Sequence, residues 1–271
     1  VRRRRLQPES PSHAAETTRP VGADSLAELD SWLFDLDGVL TDTARVHVAA
    51  WKEVFDEVLK RVSADAHTQM VPFDPVADYE RHVDGKPRYD GVRDLLASRG
   101  ITFPEGERSD PVDRLSVCGI GNRKNELILE KLAQGEVTVF GSSVKLVEDL
   151  RAAGRRTAVV SASENCVAVL EAAGIAALFD AVVDGVVARE QHLRGKPAPD
   201  TFLYASKQLG TEPLRAAVIE DAPAGVAAGH AGGFGVVIGV ARRAGSDELT
   251  RAGADLVVSD LSELPSMSPG F

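Results

Sequence analysis

Cysteine is nearly missing from this chain. Cys118 and Cys166 are the only two in 271 residues, and they stand at no metal-ligand spacing to each other. Two such thiols make neither a disulfide framework nor a zinc site, so a reducing cytoplasm is the expected setting. Long apolar runs are missing too, and none approaches the ~20 residues of a membrane span. Basic residues are outnumbered 31 to 41, which leaves a net charge of −10. That balance argues against a general nucleic-acid binder or a protein of anionic membranes. It also means that a phosphorylated ligand would have to be met by local cations. Internal repeats are absent, and biased composition is confined to the amino-terminal stretch. There Arg2 to Arg5 lead into a polar segment rich in Pro, Ser and Thr, from Gln7 to Pro20. No apolar segment follows the arginines, so residues 1–23 are expected to form a disordered tail rather than a signal peptide.

What is present suits a soluble globular chain. Apolar residues make up 44% and charged ones 27%, enough for a sizeable core. The length fits one large or two modest domains. Ser31 to Asp35 reads as a first strand. Thr43 to Arg61 reads as a long helix, with Val46, Ala50, Val54, Val58 and Leu59 at helical spacing. Val76 to Val83, Tyr89 to Ser98 and Leu127 to Ala133 also read as helices, and no strand is evident between Ala44 and about Val137. Beyond that point the texture alternates. Strands are expected at Thr157 to Val160, Phe179 to Val183, Ala216 to Ile219, Val236 to Val240 and Leu256 to Val258. Helices are expected at Leu146 to Ala153, Glu164 to Ala173, Asp200 to Leu209 and Ala222 to Ala231. Gly154, Gly174 and Gly210 stand at helix ends, where a left-handed residue closes the last turn. Such alternation means βαβ units and a parallel sheet. The strands are apolar without clean alternation, which fits a sheet covered on both faces. The predicted fold class is therefore α/β, with a Rossmann-like parallel core interrupted by an all-helical cap. The expected boundaries are 24–44 and 138–271 for the core and 45–137 for the cap. A cap inserted directly after the first strand would lie over that strand's end as a lid.

Four clusters fall at or just beyond the carboxyl ends of expected strands, where open α/β sheets bind ligands. Asp35 and Asp37 follow the run Trp32-Leu33-Phe34, and Gly38 lets the backbone bend between them and the next segment. Ser161 follows Ala158-Val159-Val160. Lys196 lies in Gly195-Lys196-Pro197, and Glu220-Asp221 follows Ala217-Val218-Ile219. Together they offer acidic metal ligands, one hydroxyl and one ammonium, an inventory suited to phosphoryl transfer. Asp35 can attack phosphorus and form an acyl phosphate. Asp37 can protonate the leaving oxygen and then deprotonate the next nucleophile. Asp221, with Glu220 beside it, can complete a magnesium site of hard oxygen ligands. Lys196 and Ser161 can hold the remaining phosphoryl oxygens. Each cluster has a structural alternative. Asp-x-Asp-Gly also occurs in calcium loops and plain turns. Ser161 with Glu164 fits a helix capping box, and Glu220-Asp221 fits a helix start favoured by the dipole. Lys196 fits a surface loop.

The four motifs, in this order, resemble those of the haloacid dehalogenase superfamily, and the resemblance runs from about Ser31 to Val258. Within it the chain most resembles the β-phosphoglucomutase-like group. Phe34-Asp35-Leu36-Asp37-Gly38-Val39-Leu40-Thr41-Asp42-Thr43-Ala44, with His47 and Trp51, carries that likeness. So do Val160-Ser161-Ala162-Ser163, Lys196-Pro197-Ala198-Pro199-Asp200 and Glu220-Asp221-Ala222-Pro223-Ala224-Gly225. The resemblance implies Asp35 as nucleophile, Asp37 as acid and base, and Mg2+ as cofactor. The metal would be held by Asp35, the Asp37 carbonyl and Asp221, with Glu220 adjacent. It implies substrate contacts from Thr43, His47, Trp51, Lys124 and the cap loop Gly85-Lys86-Pro87-Arg88, whose arginine would grip the distal phosphate. Ser163, Glu164 and Asn165 match the core side of that phosphate site. Glu164 departs from the pattern, since a cation is usual there. The implied partner is a small phosphorylated sugar bound by a monomer, with no nucleic acid and no membrane. The favoured activity is conversion of β-glucose 1-phosphate to glucose 6-phosphate, and hydrolysis of a sugar phosphate is the alternative. A non-catalytic binding module is a third possibility.

Overall fold

The computed structural model describes residues 22–67, 69–84, 86–135 and 137–265. Gly85 and the tail before residue 22 lie outside the described residues. A short helix, α1 (Ala23–Ala27), leads into the first of six strands. These are β1 (Ser31–Phe34), β2 (Arg156–Val160), β3 (Ala181–Val183), β4 (Ala216–Glu220), β5 (Val236–Val240) and β6 (Leu256–Val258). All pair in parallel, in the order β3-β2-β1-β4-β5-β6. The chain reverses direction of travel across the sheet on either side of β1, so the end of β1 is the switch point where such sheets bind ligands.

Every residue of β1, β4 and β5 is buried. Successive side chains of a strand face opposite ways, so a sheet covered twice needs apolar residues at every position. In β1, Trp32 and Phe34 join one core with Ala217, Ile219 and Ile238. Leu33 joins the other with Ala158, Val218, Val237 and Phe202. The first face is covered by α5 (Gly141–Ala152) and α6 (Cys166–Ala172). The second is covered by α8 (Asp200–Gln208), α9 (Pro223–Ala231) and α10 (Ser246–Ala252), after the short α7 (Gly185–Glu190).

Between β1 and β2 the described residues are helical or irregular. They comprise α2 (Ala44–Ala66), a π-helical turn (Tyr79–Val83), α3 (Arg88–Ser98) and α4 (Val117–Ala133). Trp51, Phe55 and Phe73 stack in series at 5.0 and 5.3 Å between ring centres. Val92, Leu95, Ile120 and Ile128 complete this helical core.

The strand expectations at Val236 to Val240 and Leu256 to Val258 match, and four helical elements differ. α4 begins ten residues before the expected start, in a stretch that carries Gly119 and Gly121. Glycine lowers helix propensity, but packing overrides it here. A Cβ at Gly119 would lie 2.3 Å from the Arg114 carbonyl oxygen, and one at Gly121 would lie 2.6 Å from the Tyr89 ring. The Ser116 hydroxyl starts the helix by accepting the Gly119 N–H at 3.0 Å. The expected helix from Val76 to Val83 is a π turn, closed by Asp84 N–H donating to the Tyr79 carbonyl at 2.9 Å. α7 and α10 were not expected. Asp184 caps the first, accepting from Val187 N–H at 2.8 Å, and Gly253 at φ 108° ends the second.

Candidate active site

Asp35 sits one residue past the end of β1. Its N–H donates to the Ile219 carbonyl of β4 at 3.0 Å, which continues the ladder and fixes the carboxylate at the sheet edge. The turn that follows is tight. Gly38 adopts φ 95° and donates to the Thr41 carbonyl at 2.8 Å. A side chain there is excluded twice over, because a Cβ would lie 2.0 Å from Asp221 Oδ2. The turn carries Asp37 back towards Thr43, the residue before α2, whose hydroxyl donates to Asp37 Oδ1. Asp35 and Asp37 thus have different partners, and burial raises the pKa of both carboxyls.

Lys196 is the partner of Asp35. Its ammonium reaches Asp35 Oδ1 at 2.5 Å, Glu220 Oε1 at 2.6 Å and the Val160 carbonyl at 3.0 Å. All three N–H donors are therefore used. Burial works against the charge, yet Asp35 and Glu220 hold the Lys196 pKa above the ordinary lysine value. The sequence placed Lys196 just beyond a strand. It arrives instead after α7, from the loop that leads into α8.

Glu220 ends β4 and is 1% exposed. Its other oxygen accepts the N–H groups of Asp221 and Ala222 at 3.1 and 3.2 Å. Asp221 accepts from Arg243 Nε at 3.0 Å. Burial pushes Glu220 up to about 8 and Asp221 up to about 6. Asp35, Glu220 and Asp221 each offer an oxygen within 4.8 Å of the others. The donors are all hard carboxylate oxygens, and four carboxylates counting Asp37 face three cations, Lys196, Arg243 and Lys124, the last with its pKa pushed down to about 7. A divalent cation such as magnesium fits that charge deficit and that donor type.

Gly225 in α9 makes room for this arrangement. A Cβ there would lie 1.8 Å from Glu220 Oε1. Gly225→Ala is expected to push Glu220 off Lys196, to lower turnover and to destabilise the fold by about 1–3 kcal/mol. Unchanged melting and turnover would show that Glu220 yields freely.

Ser161 follows β2, and its N–H donates to the Val183 carbonyl at 3.0 Å. Its hydroxyl accepts from Ser163 N–H at 3.1 Å, and the Ser163 hydroxyl accepts from Asn165 N–H at 3.2 Å. The Ser161–Glu164 capping box does not form, because α6 starts only at Cys166 and has no side-chain cap. Glu164 turns instead to Arg88 at 3.2 Å, Arg108 at 3.3 Å and Arg189. Asn165 donates to Asn125 of α4 at 2.7 Å.

The helical insertion contributes Lys124 and His47. Lys124 Nζ lies 3.0 Å from His47 Nδ1 and 5.1 Å from the centre of the Trp51 ring. Burial, followed by Lys124, drives the His47 pKa well below its usual value. That shift favours the neutral ring, and while Lys124 is protonated its ammonium donates to Nδ1. His47 Nε2 is buried and has no hydrogen-bond partner among the described residues. Burial, then Arg88, pushes Lys124 down to about 7. Lys86 is not brought to this group, since Asp94 and the Arg81 carbonyl hold its ammonium.

Lys124 has a consequence for stability. Between its folded pKa near 7 and its ordinary value of 10.5, the unfolded chain binds the extra proton. Stability therefore rises with pH across that window. From about pH 7 to about pH 9 the wild type is expected to gain about 2 kcal/mol relative to Lys124→Met, or several degrees in Tm. Melting midpoints that move in parallel would show that Lys124 stays charged in the folded chain.

Sequence reasoning missed Arg108, Arg189, Arg243 and Asn125. Only Arg243 carried a signal, because it follows β5 at the same edge of the sheet.

This sheet, with its acidic edge and inserted helices, is that of a known class. The sequence model of the haloacid dehalogenase-like hydrolases matches residues 30–233. The chain belongs to this family of enzymes, in its β-phosphoglucomutase-like group. It is 50% identical over 235 residues to the β-phosphoglucomutase of Mycobacterium bovis, a match spanning 86% of this chain and 90% of that one. The β-phosphoglucomutase of Bacillus subtilis is 30% identical over 235 residues, again 86% and 90% of the two chains. The crystal structure of β-phosphoglucomutase from Clostridium difficile superposes with a TM-score of 0.69 at 24% identity, over 88% of this chain and 93% of that one. At that identity the likeness speaks for the fold. No helix of the described residues is long and apolar enough to cross a membrane.

Proposed function

We propose that this chain is a magnesium-dependent phosphotransferase that interconverts β-glucose 1-phosphate and glucose 6-phosphate through a phosphoaspartate on Asp35. The observation that carries the reading is the division of labour between two buried carboxyls. Asp35 is held by Lys196 at 2.5 Å, whereas Asp37 is held by Thr43. Identity of 50% to a β-phosphoglucomutase over 90% of its length supports the choice of substrate. We take residues 24–44 and 138–271 as the catalytic core and 45–137 as the cap.

In this reading an Asp35 carboxylate oxygen bonds to phosphorus as the bond to the leaving oxygen breaks. Asp37, whose pKa burial raises, donates its proton to that oxygen. A second sugar hydroxyl then attacks the phosphoaspartate, and Asp37 takes back the proton. The Ser161 hydroxyl, and Lys196 as it exchanges its bond to Asp35 for one to the phosphoryl group, stabilise the equatorial phosphoryl oxygens. Magnesium, held by Asp35, the Asp37 carbonyl and Asp221 with Glu220 alongside, would neutralise charge between carboxylate and phosphate. Thr43 orients Asp37, and the unpartnered His47 Nε2–H gives the cap a donor for the substrate. Trp51 and Lys124 line the same wall. Exclusion of water by the cap favours transfer to sugar over hydrolysis.

A sugar-phosphate phosphatase is the second reading. Glu164 favours it, because a carboxylate beside Arg88 opposes the second phosphate of a bisphosphate intermediate. One assay separates the two. The enzyme is given magnesium, β-glucose 1-phosphate and a trace of glucose 1,6-bisphosphate, and both glucose 6-phosphate and free phosphate are followed. Glucose 6-phosphate without matching phosphate release is expected. Phosphate release without isomerisation would replace the mutase by the phosphatase.

A further inference from the structure

Three guanidiniums converge on Glu164 from three separate segments. Arg88 opens α3 and Arg108 lies in the loop before α4, both in the helical insertion. Arg189 lies in α7, beside the sheet. Arg88 Nη2 meets Oε2 at 3.2 Å, Arg108 Nη1 meets Oε1 at 3.3 Å, and Arg189 bonds Oε1 as well. Arg88 is largely buried, whereas Arg108 and Arg189 are about half exposed and open to an incoming anion. Arg88 and Arg108 both pack on the Tyr89 ring, 5.7 and 5.0 Å from its centre. The Tyr89 hydroxyl donates to Asn122 at 2.9 Å, and Asn122 donates to the carbonyls of Arg108 and Asp110 at 3.0 and 2.8 Å. The Arg108 loop is thereby pinned to α4. On the other side, Gly185 seats α7 against the Glu164 loop, where a Cβ would lie 2.6 Å from the Ala162 carbonyl oxygen.

One carboxylate neutralises only one of three guanidiniums, which leaves two positive charges for a phosphate dianion. Each guanidinium can bond phosphate as a planar fork, as it bonds carboxylate. We infer that Arg108 and Arg189 join Arg88 in binding the substrate's second phosphate, and that Glu164 gathers these three guanidiniums until that phosphate displaces it. Glu164 thereby latches the insertion to the sheet in the unliganded enzyme. A carboxylate at this position is then compatible with a doubly phosphorylated ligand, because it comes with extra cations. The identity of the anion rests on the sugar-phosphate reading above.

The test is calorimetric titration of glucose 1,6-bisphosphate into the full-length wild type and four variants. Glu164→Gln is expected to bind about tenfold tighter, since the competing carboxylate is gone. Arg108→Ala and Arg189→Ala are expected to bind about tenfold weaker each, and Arg189→Lys to recover part of the loss. In turnover these variants should move KM for the bisphosphate more than kcat. Unchanged or weaker binding by Glu164→Gln, or wild-type binding by both arginine variants, would overturn the inference. If the wild type binds the bisphosphate with this pattern of variants yet converts no sugar phosphate, the catalytic reading fails and the inference stands. If turnover is found and the variants bind like wild type, the inference fails alone.

Discussion

Asp35→Asn is expected to abolish turnover, with kcat reduced by at least about 10⁴-fold. An amide nitrogen or oxygen is a poor nucleophile towards phosphorus, and Glu220, the other carboxylate on Lys196, is tied by its second oxygen to the Asp221 and Ala222 N–H groups. The folded chain should survive the change. Asparagine keeps the volume, Lys196 keeps Glu220 at 2.6 Å, and one buried like charge is removed from beside Glu220 and Asp221. Tm should therefore hold or rise. Mass spectrometry of wild type quenched during turnover should find a phosphoryl group on Asp35, and none on the variant. A variant that turns over at the wild-type rate would end the assignment of Asp35 as nucleophile.

Asp37→Ala should lower kcat by about 10²–10⁴-fold, the usual range for a positioned acid and base. The size of the loss should depend on the leaving group. A sugar hydroxyl needs a proton as it departs, whereas a nitrophenolate does not. Turnover of a nitrophenyl phosphate should thus suffer least, and turnover of the sugar phosphate most. A loss equal for both would remove Asp37 from the acid role and leave it a positioning one. Thr43 should tolerate the change, because its hydroxyl also lies 3.1 Å from that of Thr41.

The parts of the fold legible in the sequence were those fixed locally. Val236 to Val240 is an apolar run bounded by Gly235 and charged residues, and such a run becomes a buried strand almost regardless of context. Asp35, Ser161 and Asp221 were legible because each follows an apolar strand directly. Lys196 was legible by its motif but not by its route, since α7 intervenes. α4 was only half legible, because Gly119 and Gly121 argue against helix locally while close packing against Arg114 and Tyr89 requires them. Glu164 was the hardest case. Taken alone it contradicts a phosphate site, and the arginines that change its meaning lie 76, 56 and 25 residues away.

The position of β1 at the middle of the sheet has a consequence during synthesis. This strand leaves the ribosome first, yet its neighbours begin at Arg156 and Ala216. At the usual ~5–20 residues per second, the edge that pairs with β2 waits roughly 6–25 seconds and the edge that pairs with β4 roughly 10–40 seconds. Trp32, Leu33 and Phe34 are exposed for that time, in a segment suited to pairing with another nascent chain. The helices encoded next rest on local contacts and can form meanwhile. The strand that ends at Asp35 is thus the one longest without its partners while the chain is being made.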